Sequence, residues 1–156
     1  MFGKKQSKIF LGADHAGFKL KEHIRKFLDK LGYQYEDLGA YTDENGSDYP
    51  EIAFKLARKT AERNGKGILM CGTGTGEAIV ANKVKGVRAA NCFDEYTARM
   101  SREHNNSNVL CLGARILNKG ASEKIVKTWL EADFSSEARH RRRVRQIGDI
   151  EKKVFR

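Results

Sequence analysis

Hydrophobic and polar positions along the chain fall into two kinds of segment that follow one another in turn. Short runs that are largely apolar, such as residues 8–13 and 67–71, are typical of strands buried on both faces of a sheet. Segments with apolar residues three or four positions apart, such as residues 18–31, predict amphipathic helices. Their alternation predicts a parallel sheet, because each helix crosses over between two parallel strands.

The pattern predicts strands and helices over almost the whole chain. Strands are predicted at residues 8–13, 33–38, 67–71, 87–92 and 108–112. Helices are predicted at residues 18–31, 50–65, 77–84, 94–103, 121–131 and 136–156. A chain of 156 residues without an internal repeat or a linker fits one domain, residues 1–156. The predicted fold class is therefore α/β: a three-layer sandwich of a five-stranded parallel sheet with helices on both faces, followed by a C-terminal helix.

Composition places the protein among ordinary globular chains. Hydrophobic residues make up 40% of the sequence, too many for a disordered chain. No apolar run approaches the roughly 18 residues that span a bilayer, and the lysine-rich start lacks the apolar segment of a secretory signal. We therefore expect a cytoplasmic protein with no membrane partner. The 3 cysteines are widely spaced, which predicts neither a disulfide framework nor a zinc site, and Cys92 and Cys111 are expected to be buried.

The chain is strongly basic, with a formal net charge of +10. Such an excess fits a nucleic acid, a membrane surface or a small anion as partner. Much of it lies in the C-terminal segment, where no aromatic residue interrupts the arginines of residues 139–145. Binding of single-stranded nucleic acid usually combines cationic with aromatic side chains, so we expect no nucleic-acid partner.

The strongest local signal is a loop with glycine at every second position, Gly72, Gly74 and Gly76, between a predicted strand and a predicted helix. Such a loop points several backbone N–H groups at one anion, either a bound phosphate or a developing oxyanion. The same sequence would also make a tight turn that binds nothing. It matches neither the Walker A pattern nor G-x-G-x-x-G, although Asp94 lies near the distance of a ribose-binding acid and keeps dinucleotide binding open as an alternative.

Titratable side chains flank this loop in the sequence. Cys71 precedes it, where converging amides and a helix N-terminus can make a thiol a usable base, although a buried core cysteine is an equal alternative. Two polar pairs, Asp14 with His15 and His104 with Asn105, are predicted in loops at the same edge of the sheet. Each pair alone is also consistent with capping or a surface position. Together with the glycine loop, they favour proton-transfer chemistry at the carboxyl ends of the strands.

Seven stretches taken in order carry a resemblance to a known family. They are residues 12–17, 48–50, 71–76, 81–83, 86–90, 104–110 and 112–115. With them the sequence resembles the type B ribose-5-phosphate isomerases, in a family that also contains the galactose-6-phosphate isomerase subunits. The resemblance implies a Rossmann-like fold and an intramolecular oxidoreductase (an isomerase) that interconverts ribose 5-phosphate and ribulose 5-phosphate in the pentose phosphate pathway. It implies no cofactor and no metal, and a homodimer or tetramer whose active site is shared between subunits.

The resemblance also implies catalytic roles. Cys71 corresponds to the base that moves the proton between carbon 2 and carbon 1, and Thr73 acts with the loop amides to stabilise the enediolate. Asp14 and His104 correspond to the groups that open the sugar ring. The residues expected to bind the sugar and its phosphate are His15, Tyr49, Gly72, Gly74, Gly76, Asn105, Arg115, Arg139 and Arg143.

One departure from the family pattern leaves the base open. Some members use the cysteine, and others use a glutamate at the position of Glu77, whereas this chain has both. We favour Cys71 and keep Glu77 as the alternative base, since a carboxylate at a helix start is also favourable for structural reasons alone. Two other functions stay open: isomerisation of a six-carbon sugar such as allose or galactose 6-phosphate, and a non-catalytic phosphate- or nucleotide-binding module. The binding module leaves Cys71, Asp14 and His104 without a role.

Overall fold

A computed structural model describes residues 8–44 and 46–155. Its strands are β1 (Ile9–Ala13), β2 (Tyr35–Asp37), β3 (Lys66–Cys71), β4 (Ala89–Asn91) and β5 (Val109–Gly113). Its helices are α1 (Phe18–Lys30), α2 (Tyr49–Arg63), α3 (Thr75–Ala81), α4 (Glu95–Asn105), α5 (Lys119–Glu131) and α6 (Ala138–Val154). The lysine-rich start at residues 1–7, on which the expectation about a leader rests, lies outside the described residues.

The strands form one parallel sheet in the order β2-β1-β3-β5-β4. The register pairs Ile9 with Lys66 and Gly67 with Val109, so the central strands end together near Ala13, Cys71 and Gly113. Loops that follow β1, β3 and β5 therefore meet at one edge of the sheet. Parallel α/β sheets bind ligands at this edge.

Helices cover both faces of the sheet and bury it in two apolar clusters. One cluster joins α1, α4 and α5 to the sheet around Ile24, Leu28 and Trp129. The other joins α2 and α3 to the opposite face around Leu56 and Phe10. The predicted three-layer α/β sandwich is confirmed. The two clusters hold the central strands rigidly, because their side chains are packed on both sides.

Element ends differ from the sequence prediction where side chains bond to the backbone. Helix α3 begins at Thr75, two residues earlier than predicted, because Gly74 with φ 81° makes the turn into it. It ends at Ala81, since the amide side chain of Asn82 bonds to both N–H and C=O of Ala89 at 2.9 Å. Strand β4 spans Ala89–Asn91, which is shorter than the predicted strand at residues 87–92.

Helix α6 leaves part of its apolar face uncovered. The helix contacts α4, but Ile147, Ile150 and Val154 are 40%, 60% and 67% exposed. Phe93, Tyr96 and Ile116, at the carboxyl edge of the sheet, are exposed as well. Within the described residues, no helix combines the length and the apolar character needed to cross a bilayer.

A fully buried lysine fixes the segment that leads towards the site. The ammonium of Lys21 in α1 donates to both carboxylate oxygens of Asp37 at 2.7 Å and to the carbonyl of Ala40 at 2.6 Å. Because a buried ammonium needs such partners, the chain after β2 is held against α1. The same segment continues to Tyr49, where α2 begins.

Candidate active site

A cavity of about 360 Å³ lies at the carboxyl ends of β1 and β3. Eight of the residues predicted for the site line it: Asp14, His15, Tyr49, Cys71, Gly72, Thr73, Gly76 and Arg115. They come from the loops after β1, β3 and β5 and from the start of α2. The strand edge that the sequence pattern indicated is therefore the edge that carries this cavity.

The glycine loop folds into the predicted nest of backbone amides around the Cys71 sulfur. The Gly74 N–H donates to Cys71 Sγ at 3.1 Å. The amide of Asn91, on the edge strand β4, donates to the Thr73 carbonyl at 3.3 Å and to Thr75 Oγ1 at 3.1 Å. A side chain at Gly74 would meet Asn91 Oδ1 at 2.4 Å and would sit at φ 81°, so this position requires glycine.

The Cys71 thiol is buried yet faces the cavity. Burial raises its pKa most, and the charge of Glu77 raises it further, while the amides of Gly74 and Thr73 lower it by hydrogen bonding to the sulfur. The amides thus stabilise a thiolate at the position where burial opposes one. A sulfur that lines a cavity and accepts an N–H is suited to act as a base.

Glu77, in the first turn of α3, is fully buried and does not line the cavity. Burial, and after it the nearby Asp14, raises the pKa of Glu77 well above its usual value, whereas the Cys71 thiol lowers it. Within the described residues, neither carboxyl oxygen has a hydrogen-bond partner of good geometry. The carboxyl group is therefore held most favourably as a neutral acid.

Asp14 closes the turn between β1 and α1. Its Oδ1 accepts the N–H of Gly17 at 2.9 Å, and its side chain is almost fully buried at the cavity. A Cβ at Gly17 would come within 1.8 Å of the Met70 carbonyl oxygen, so only glycine lets α1 start this close to β3. This contact brings Asp14 next to Cys71.

Three polar side chains border the mouth of the cavity. His15 Nδ1 lies 3.5 Å from the Ser47 carbonyl, which places its ring beside the loop before α2. The Tyr49 ring packs against Gly76, where a built Cβ would come within 2.7 Å of it. The Arg115 guanidinium lies over Gly72. Arg115 is the one lysine or arginine among the described residues that line the cavity.

The remaining predicted residues lie at the opposite edge of the sheet. Helix α4 starts after β4 and runs back across the sheet, so its last residues, His104 and Asn105, lie near the amino ends of the strands. The Asn105 carbonyl accepts from Arg88 Nε at 3.0 Å, directly before β4. The prediction that the pair of Asp14 and His15 and the pair of His104 and Asn105 lie at the same edge of the sheet was therefore wrong for a single copy of the chain. Neither His104 nor Asn105 lines the cavity at Cys71.

A second group of candidate residues forms around His104. Its ring stacks on His140 in α6 with centroids 4.1 Å apart. Burial, and then the neighbouring His104, lowers the pKa of His140. Arg139 pairs with Glu137 at 2.7 Å, and Arg143 follows one turn later on the exposed side of α6. The structure thus divides the predicted site residues into two groups, one at each edge of the sheet.

Sequence reasoning missed residues that shape both groups. Asn91 supports the glycine loop from the edge strand, and His140 stacks on His104, yet neither was predicted as a site residue. For Asn91 the available signal was a polar residue near the end of the predicted strand at residues 87–92. His140 lay within the arginine run, where one histidine has no distinguishing pattern.

Known proteins match almost the whole chain. The model of a family described as Ribose/Galactose Isomerase matches residues 9–147. The chain belongs to this family. The ribose-5-phosphate isomerase B of Escherichia coli (strain K12) is 42% identical, and the match covers 94% of this chain and 97% of that protein. The resemblance inferred from the seven stretches is thereby confirmed.

Solved structures of the ribose/galactose isomerase family superpose over nearly the whole chain. The Clostridium thermocellum ribose-5-phosphate isomerase B matches with a TM-score of 0.89 and 47% identity, covering 94% of this chain and 98% of that chain. The Mycoplasma genitalium ribose-5-phosphate isomerase B with bound ribulose-5-phosphate matches with a TM-score of 0.90 and 41% identity, covering 94% and 97%.

Proposed function

We propose that this isomerase interconverts ribose 5-phosphate and ribulose 5-phosphate by base-catalysed proton transfer through an enediolate. The observation that carries the proposal is the Cys71 sulfur, which lines the cavity and accepts the Gly74 N–H. A thiolate there takes the proton from carbon 2, and the amides of the glycine loop stabilise the oxyanion that develops beside it. The family relatives support the pentose substrate, and the six-carbon alternatives are not favoured.

The residues at the cavity take roles that follow from their chemistry. Cys71 carries the proton from carbon 2 to carbon 1, and Thr73 with the loop amides binds the enediolate oxygens. Asp14, whose second carboxylate oxygen is not engaged by Gly17, accepts a proton from the sugar hydroxyl during ring opening. His15, Tyr49 and Arg115 hold the sugar and its phosphate from the rim, the arginine through charge-assisted bonds.

The residues at the opposite edge act in the site of a second copy. In this proposal the enzyme is a homodimer, and His104, Asn105, Arg139 and Arg143 reach the cavity of the partner. Two observations support it: these side chains lie far from the cavity of their own chain, and the apolar face of α6 is exposed. A phosphate held by Arg115 alone gains additional cations in this way. The proposal includes a cytoplasmic location, the pentose phosphate pathway and catalysis without a metal or cofactor.

An absorbance assay for ketose formation from ribose 5-phosphate tests the function. We expect Cys71→Ala to lower kcat by roughly 100-fold to 10,000-fold, the contribution of a general base, while calorimetry still detects ribose 5-phosphate binding. Cys92→Ala is the matched control, because Cys92 is equally buried but lies on the other face of the sheet. Near-normal turnover of Cys71→Ala would contradict the assignment of the base.

The same assay separates the substrate classes. Allose 6-phosphate and galactose 6-phosphate are measured beside ribose 5-phosphate with the wild-type enzyme. We expect the highest kcat/KM for the pentose. A higher value for either hexose contradicts the pentose assignment, and lack of turnover on all three would return the chain to the class of binding modules.

A further inference from the structure

The Glu77 carboxyl group has no task in the mechanism described above, although it adjoins the base. It is fully buried in the first turn of α3, six residues after Cys71, and both oxygens lack a good hydrogen-bond partner within the described residues. A buried carboxylate without donors is costly, whereas a neutral carboxylic acid in the same place is not. The group thus needs either a proton or a partner.

The groups around Glu77 do not supply a positive charge. The titratable side chains that face it are Cys71 from β3, Cys111 from β5 and Asp14 after β1. All three become negative when they ionise, so each of them disfavours the carboxylate. A proton on Glu77 removes this conflict.

The Cys71 sulfur is much better placed to hold a negative charge. It accepts the Gly74 N–H at 3.1 Å, adjoins the start of α3 and lines the open cavity. If Glu77 were ionised, its negative charge would repel the thiolate over a short distance through the buried interior, where water does not screen the repulsion. When the pair of side chains carries one negative charge, that charge is therefore most stable on sulfur.

We propose that Glu77 is a positioning residue for Cys71: it retains the proton of the pair and donates its O–H to the sulfur as the thiol ionises. In the balanced step, the proton of Cys71 Sγ passes to solvent water in the open cavity while Glu77 keeps its own proton, so the charge of the pair changes from zero to −1. The thiolate then takes the carbon 2 proton and delivers it to carbon 1, while the Glu77 proton stays in place. This inference rests on the proposed function, in which Cys71 is the base.

Alkylation of Cys71 by iodoacetamide tests the pair without substrate. The rate of Cys71 modification, identified by peptide mass spectrometry, is measured against pH for the wild type, Glu77→Gln and Glu77→Leu. Gln is uncharged and still donates a hydrogen bond, whereas Leu fills similar space without a donor. We expect Glu77→Leu to raise the midpoint of the profile by about one pH unit or more, since a hydrogen bond to a charged group is lost. We expect Glu77→Gln to lie closer to the wild type than Glu77→Leu does.

The direction in which the pH midpoint of Cys71 alkylation shifts in the variants shows whether Glu77 is neutral or ionised beside the thiol. If Glu77 is ionised beside the thiol, removing its charge lowers the midpoint in both variants, and that result overturns the proposal. Equal midpoints in all three proteins overturn it as well. Should Glu77→Leu fail to fold, Glu77→Gln decides alone: a midpoint at or above that of the wild type supports the proposal, and a lower one overturns it.

Turnover gives a second readout that separates positioning from base catalysis. We expect Glu77→Gln to lose less kcat than the roughly 100-fold that loss of a general base costs, whereas Cys71→Ala exceeds it. The reverse order makes Glu77 the base and overturns the proposal. If no protein isomerises a sugar phosphate, the proposed function fails while the alkylation profile still reports on the pair.

Discussion

Replacement of Gly74 by alanine tests whether the glycine loop is built around the Cys71 sulfur. The new Cβ would sit 2.4 Å from Asn91 Oδ1 and 3.1 Å from the Leu112 carbonyl carbon, at φ 81°. The Asn91 amide must then move and give up its bonds to Thr73 and Thr75. The Gly74 N–H, which donates to Cys71 Sγ, moves with the loop.

The cost of Gly74→Ala follows from these contacts. A residue with a side chain in the left-handed region costs about 1–2 kcal/mol, and each hydrogen bond of Asn91 contributes about 1 kcal/mol. We expect the free energy of unfolding to fall by about 2–4 kcal/mol, measured by urea denaturation. Because one amide donor is displaced from the reacting atoms, we expect kcat to fall by roughly 100-fold or more in folded protein.

Gly120→Ala is the matched control for this substitution. Gly120 lies in the first turn of α5, has no positive φ, and a Cβ there meets its nearest neighbour at 3.6 Å. Alanine in a helix is more stable than glycine, so the control should gain up to about 1 kcal/mol and keep its turnover. If Gly74→Ala resembles Gly120→Ala in both stability and kcat, the loop is not the tight nest inferred here.

Three further perturbations test the buried charges and the shared site. Glu77→Gln should gain stability relative to the wild type as pH rises from about 5, by up to about 1.4 kcal/mol per pH unit, because the raised pKa of Glu77 favours folding only while the group keeps its proton. Urea denaturation at pH 5 and pH 8 measures the difference in free energy of unfolding between the two proteins. A difference that stays constant with pH contradicts the expectation. Lys21→Met should lower the free energy of unfolding by about 3 kcal/mol, because it leaves the Asp37 carboxylate without its ammonium. The control Lys19→Met removes an exposed ammonium and should change the free energy of unfolding by less than about 1 kcal/mol. Equal effects of the two substitutions exclude a structural role for the buried pair of Lys21 and Asp37. Co-expressed Cys71→Ala and Arg143→Ala chains, each expected to be inactive alone, should recover about a quarter of wild-type activity overall, because about half of the dimers are mixed and each mixed dimer has one intact site of two. No recovery argues against a shared site.

The fold was predictable from sequence because its strongest signals are local. Continuous apolar runs and helical spacing of apolar residues identify strands and helices one by one, and handedness then determines how they connect. The errors lie at element ends, such as the early start of α3 at Thr75, where the bond network of the glycine loop decides. The residues that follow β1, β3 and β5 were predictable for the same reason, since parallel strands end at one edge.

The rest of the site depends on distances that a sequence pattern does not contain. His104 lies in the last turn of a helix and not directly after a strand, so its edge of the sheet depends on the direction in which α4 runs. The pairing of Glu77 with Cys71 depends on burial and on the absence of donors within the described residues, which a spacing of six positions in the sequence does not reveal. Asn91 reaches the loop from a strand that is 18 positions away from Thr73.

The indole of Trp129 is an intrinsic fluorescent probe of this enzyme. It is the only tryptophan in the chain and is fully buried, and its Nε1 donates to Ser107 Oγ at 2.8 Å, in the turn that follows His104. Ser107 Oγ also lies 2.8 Å from Ser101 Oγ, so a displacement of this turn changes the polarity sensed by a single emitting ring. Intrinsic fluorescence therefore follows events at the amino-terminal edge of the sheet without a label, in a part of the chain that lies away from its own Cys71.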